Sequence, residues 1–191
     1  MIRRLPLVPT VLVGLAVALM VGLGIWQLER AQWKTGLLDR YAAAATLPPL
    51  AWPAVVAMPP DEPLFRRAGA FCLRPVAWED KAGRNAAGAA GWVHIATCMT
   101  GGAEGPGLRV DIGWSQDPGA GRDWSGGAVE GIVTRDRHGP LLVASAAGPG
   151  LVASAPPDMA EIPNNHLAYA IQWFLFATVA VVIYLLALRR R

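Results

Sequence analysis

Charge is what this sequence has least of. Only 16% of its 191 residues are charged and 53% are hydrophobic, whereas a soluble domain carries about 25% charged residues. The apolar fraction excludes a disordered chain. The length excludes a large multidomain enzyme, since one folded domain takes roughly 100–200 residues. Histidine and cysteine are scarce, with three and two copies. No Cys/Met/His cluster for copper handling can be assembled, and the cysteines are not spaced as a redox pair or a metal knuckle. No serine lies in a nucleophile-elbow motif and no glycine-rich loop precedes a helix, so catalysis has no visible home and the chain does not read as an enzyme. Five of the 17 basic residues sit at the tips, as Arg3, Arg4, Arg189, Arg190 and Arg191, leaving 12 against 14 acidic residues between them. No basic face for nucleic acid survives that distribution.

What the chain has instead is two long runs without charge. Residues 5–28 form one of 24, and residues 162–188 one of 27. Roughly 20 apolar residues cross the hydrocarbon core as a helix, so spans are expected from Val8 to about Ile25 and from about Leu167 to Leu188. A signal peptide is the alternative for the first run. Its apolar stretch exceeds the usual ~7–15 residues, and no small-residue cleavage site follows before Glu29. Arginines at both tips place both tips in the cytoplasm and the segment between the spans outside it. The expected layout is a cytoplasmic tip (1–7), a first span (8–28), a helical extension (29–47), a periplasmic β-rich domain (48–165), a second span (166–188) and a second tip (189–191). In a Gram-negative bacterium this is a two-pass inner-membrane protein.

Past the first span the helical pattern continues, with Trp26, Arg30, Trp33, Leu37 and Tyr41 recurring at spacings of three and four,. The helix should run to about Ala45, where Pro48 and Pro49 stop it. The stripe is expected to be a packing seam against the external domain. Between Glu29 and Asn165 lie 14 prolines and 18 glycines. Short apolar runs between these breakers predict strands at 65–78, 91–99, 108–114, 128–134 and 140–144. Hairpin loops are expected at 81–90, 101–107 and 117–127, and a Pro/Ala/Gly linker at 146–163. The fold class is therefore α+β: two transmembrane helices flanking a small antiparallel β sandwich or barrel-like domain. Cys72 and Cys98 fall on two of the strands. They are either a disulfide, as an oxidising compartment permits, or two separate small buried hydrophobes. A copper or zinc site with His94 or His138 is the weaker alternative.

The segment from Pro163 to Phe174 carries the chemistry. Two asparagines, Asn164 and Asn165, can cap the helix that follows, and His166 falls in its first turn with Tyr169, Ala170 and Trp173 on the same side. Such an imidazole can simply rest in the membrane interface. An ionisable residue in a span is nevertheless a functional candidate, and a neutral imidazole among aromatics and small alanines can ligate haem iron.

Asn164-Asn165-His166-Leu167-Ala168-Tyr169-Ala170 closely resembles the signature that opens the second span of the Surfeit locus protein 1 (Shy-type) family. The first-span exit, from Leu23-Gly24-Ile25-Trp26-Gln27 through Arg30 to Trp33-Lys34, resembles that family's other hallmark. The domain between matches loosely: Gly113 and Trp114 are kept, Ile112 stands where relatives often have arginine, and most of a long insert before the second span is missing. The resemblance implies a non-enzymatic assembly factor for cytochrome c oxidase that binds haem a transiently. By motif position it implies His166 as the axial iron ligand. Tyr169 and Trp173 would border the ring, with Trp26 and Arg30 closing the other side and Arg30 pairing with a propionate, a lipid headgroup or Glu29. The implied partners are oxidase subunit I, haem a synthase or other assembly factors, and the lipid membrane. A resident accessory or scaffold subunit of a respiratory oxidase is the alternative with the same topology.

Overall fold

A computed structural model describes residues 6–52, 62–101 and 106–190. The tip arginines Arg3, Arg4 and Arg191 lie outside the described residues, as does part of the expected 101–107 loop. The chain divides into two compact units: residues up to Asp39 together with those from Ala160 onward, and the segment Arg40–Met159.

The first unit is a pair of helices, α1 (Leu7–Thr46) and α2 (His166–Arg189). Both are long and apolar enough to cross a membrane, and only 6% of each apolar window is buried, unlike the core helix of a soluble protein. At 1.5 Å per residue α1 is about 60 Å long, twice a hydrocarbon core of about 30 Å. It ends one residue beyond the expected Ala45, ahead of Pro48.

Small residues let the two backbones approach, the usual basis of helix pairing where lipid removes the hydrophobic drive. Gly24 is buried, and a Cβ there would lie 2.7 Å from two ring atoms of Phe174. Ala170 and Ala177 are the buried residues of α2, in step with Phe174 along one face. Thr10 and Tyr184 share a hydrogen bond near the other end of the pair. The stripe at 26, 30 and 33 falls off this face: Trp26 and Trp33 are 53% and 49% exposed, and Arg30 is exposed as well. It is therefore not a buried seam. Tyr41 alone makes a ring contact beyond it, with Phe65 at 5.0 Å.

The second unit holds seven strands: β1 (Leu50–Ala51), β2 (Arg67–Cys72), β3 (Arg74–Arg84), β4 (Ala90–Met99), β5 (Pro106–Ser115), β6 (Gly127–Asp136) and β7 (Gly139–Ala144). They form one sheet in the order β1-β2-β6-β7-β5-β4-β3. Four pairings are antiparallel as expected, while β1/β2 and β5/β7 are parallel, so the sheet is mixed. The single strand expected at 65–78 is two, broken at Leu73. Its halves pair with β6 at one end of the sheet and β4 at the other. A chain that joins both ends of a sheet through one residue curls it toward closure, and the Leu73 amide completes the corner by donating to Met99 O at 2.9 Å. Cys72 and Cys98 bridge the same corner as a disulfide, Cα atoms 5.3 Å apart.

The expected loop at 81–90 is mostly strand. β3 runs on to Arg84, and the turn is short because Asn85 Oδ1 accepts from the amides of Ala87 and Ala89 at 3.0 and 2.9 Å, an Asx-type turn. The core consists of Ala68, Leu108, Val110, Ile112, Val133 and Leu142 with the disulfide sulfurs. The stretch expected as a free linker is docked instead. Trp114 and Val152 exchange backbone hydrogen bonds at 2.7 and 3.0 Å, and the Gly148 amide donates to Ile112 O at 2.7 Å. Gly113 makes this possible: φ is +137°, and a Cβ would lie 2.9 Å from both Leu151 Cβ and Val152 O.

Candidate functional site at the start of the second helix

His166 opens α2, and its ring is half-buried. Its Nδ1 lies 2.7 Å from Gln27 Oε1 on α1, across 139 residues of sequence. A carboxamide oxygen only accepts, so the imidazole proton resides on Nδ1 and Nε2 carries the lone pair. A histidine whose other ring nitrogen donates to a fixed oxygen is the usual arrangement of a metal ligand. Gln27 is the residue that sequence reasoning missed. Its signal was present, as an amide one turn from the end of an otherwise apolar run, where polar side chains commonly bridge helices.

The other candidates are distributed around this pair. Tyr169 is 49% exposed on the helix surface. Trp173 is half-buried and meets Phe176 edge-on at 6.2 Å. Ala168 is exposed, whereas Ala170 is only 1% exposed, so the room expected beside it is filled. Arg30 stacks over the Trp33 ring with 4.0 Å to the centroid, and Trp26 is exposed. The structure brings Gln27 to His166; Trp26 and Arg30 have no bond to it. Nor do the asparagines cap α2 with their side chains. Asn165 takes the N-cap position without a side-chain hydrogen bond, and the Asn164 amide donates to Thr35 Oγ1 on α1 at 3.4 Å.

The second unit contains a buried polar string that the sequence did not announce. His94, with no exposed surface, bonds Asp80 through Nδ1 and Ser115 Oγ through Nε2, both at 2.8 Å. This has the connectivity of a hydrolase triad. However, Ser115 Oγ donates its proton to Asp117 O at 2.9 Å, and a serine whose proton is spent elsewhere is not an activated nucleophile. The string braces β3, β4 and β5. Nearby, Asp111 accepts from Ser154 Oγ at 2.7 Å and from the Gly113 amide at 2.9 Å. Burial pushes its carboxyl up to about 6, and those two hydrogen bonds only partly offset it. At the far edge Arg109 holds Asp136 bidentately at 2.6 and 2.9 Å and reaches Glu79 at 3.0 Å. Burial alone would raise the Asp136 carboxyl; the Arg109 hydrogen bonds outweigh it and hold the group below its ordinary value. Both cysteines are consumed by the disulfide, so no thiol is free for a copper or zinc site with His94 or His138. Among the described residues no three His, Cys, Asp or Glu side chains gather as a metal cage.

Two paired apolar helices at the ends of the chain, with a curled β unit between them and an oriented imidazole where the second helix begins, define a two-pass membrane protein. The chain belongs to the SURF1 family, whose sequence model matches residues 14–178, a stretch that includes both hallmark segments. No curated protein matches the chain. The SURF1 family is associated with cytochrome c oxidase assembly; it is an assembly-factor family rather than a known class of enzyme. Membership implies interaction with oxidase components.

Proposed function

We propose that this protein binds haem a through His166 and assists its delivery to subunit I of cytochrome c oxidase at the periplasmic side of the inner membrane. The hydrogen bond between His166 and Gln27 carries the reading. It turns a residue that could merely rest in the interface into a fixed base with its lone pair on Nε2. A single protein nitrogen suits a carrier, because one imidazole holds iron reversibly where a full cage would not. Haem a itself supplies the iron that such a nitrogen can ligate. Trp26, Trp33 and Tyr169, all half exposed or more, suit the level of the membrane interface. Arg30 over Trp33 presents a cation to a propionate. The Cys72–Cys98 disulfide supports an oxidising compartment for the β unit,, in line with the tip arginines and the positive-inside rule.

The test is haem retention by the purified full chain from cells that make haem a. Replacing His166 with Ala should strip the co-purified haem or shift its Soret band, with membrane insertion intact. Replacing Gln27 with Leu keeps the ligand but frees its ring, and should weaken haem affinity by about 10–100-fold, the usual cost of losing a ligand's outer partner. Unchanged haem content and spectrum in His166→Ala would refute the assignment.

A further inference from the structure

Beside the imidazole sits a polar atom with nothing to bind. Asn164 Oδ1 is buried and has no hydrogen-bond partner. Its orientation follows from its neighbours. Thr35 donates its hydroxyl proton to Ala31 O at 3.0 Å, so Thr35 Oγ1 can only accept, and it accepts from Asn164 Nδ2. The amide is thereby turned with its oxygen as the free end. A buried acceptor left unpaired costs about 1–3 kcal/mol, which suggests that it is satisfied by something the helices alone do not provide. The two side chains are anchored at separate levels of α1, His166 on Gln27 and Asn164 on Thr35. Eight residues of helix are about 12 Å, a separation on the scale of a porphyrin with its first side-chain atoms.

We propose that Asn164 is a specificity-determining residue: its Oδ1 accepts a hydrogen bond from a hydroxyl on the haem's side chain, so the site selects haems bearing a hydroxyalkyl group over haem b, which has a vinyl group there. An ionised propionate cannot satisfy this oxygen, because both are acceptors. A site built to hydrogen-bond a hydroxyl discriminates against the analogue lacking it, whereas apolar contact alone does so weakly. This rests on the haem reading of His166 above.

The test uses the detergent-solubilised full chain, freed of haem and titrated in the Soret band. The two probes are iron protoporphyrin, with vinyl groups, and iron haematoporphyrin, with hydroxyethyl groups and no farnesyl tail. The ratio of their affinities is the readout, and comparing it between variants cancels their different partition into detergent. Asn164→Leu should lower the relative affinity for the hydroxyethyl probe about tenfold, the free energy of one hydrogen bond. Asn164→Asp retains an acceptor and should retain the preference. Thr35→Val, which releases the amide to rotate, should give an intermediate loss. A ratio that is the same in wild type and in all three variants, with both probes still ligated by His166, would overturn this inference alone; the oxygen would then face bound water. If the wild type ligates neither probe, the haem reading itself fails and this inference falls with it.

Discussion

Asp111 makes a quantitative prediction about the β unit. Its carboxyl is raised from 3.8 to about 6, chiefly by burial and against the pull of the Ser154 and Gly113 hydrogen bonds. The folded state therefore holds a proton that the unfolded state releases between those two values. Linkage then gives a contribution fully present below about pH 4 and lost as pH rises through about 6. At about 1.4 kcal/mol per unit the loss is about 3 kcal/mol, on the order of 10 °C in melting temperature for a domain of this size. The depressed Asp136 acts in the opposite sense: its stabilisation is present above 3.8 and lost as pH falls through its lower folded value,. Stability should thus peak on the acid side of neutrality, near pH 5. Asp111→Asn is close in shape to the protonated acid. It should remove the decline between pH 5 and 7 and melt above wild type at pH 7, while Asp111→Ala should be destabilised at every pH because two buried donors lose their acceptor. The assay is thermal melting of the full chain in detergent, followed by the near-ultraviolet signal of its tryptophans. Parallel pH profiles for wild type and Asp111→Asn would refute the reasoning.

The helix pairing and the disulfide are testable in the same preparation. Gly24→Ala places a methyl 2.7 Å from the Phe174 ring, well inside the 3.5–4.0 Å optimum. It should cost about 1–3 kcal/mol and weaken haem binding through the displaced Gln27; Phe174→Leu in the same chain should restore both, and failure to do so would exclude the ring as the cause. Cys72→Ser or Cys98→Ser opens a loop with a sequence separation of 26 and should lower the stability of the β unit by about 3–4 kcal/mol, visible as equal melting temperatures for either variant and the reduced wild type. An unaltered melting temperature would show that the sheet corner is held by the Leu73–Met99 hydrogen bond without the bridge.

The features legible in the amino-acid order were those whose physics is local. A charge-free run has to find hydrocarbon, so both spans were readable, as was the end of α1 before Pro48 and Pro49. His166 stood out because an ionisable group in a span is costly. Alternation and breakers located most of the strands, but the β3 extension past Lys81 was hidden by charged side chains that lie on an exposed strand and pay no penalty there. Tertiary structure decided the rest, because it concerned residues brought together from far apart. Spacing showed that Trp26, Arg30 and Trp33 share a face, but only helix pairing revealed that Gly24 and Gln27 hold the face toward α2. The disulfide needed Cα atoms at 5.3 Å, a distance created by the strand that bends at Leu73. The docking of the 146–163 stretch depended on the missing side chain of Gly113 leaving a backbone-sized gap. The partner of His166 lay 139 residues away, and the free oxygen of Asn164 could be recognised only once Thr35 was seen to have spent its proton on Ala31. Periodicity along a chain is a short-range property, whereas the tautomer of an imidazole and the satisfaction of an amide are set by whichever atoms the fold brings within about 3 Å.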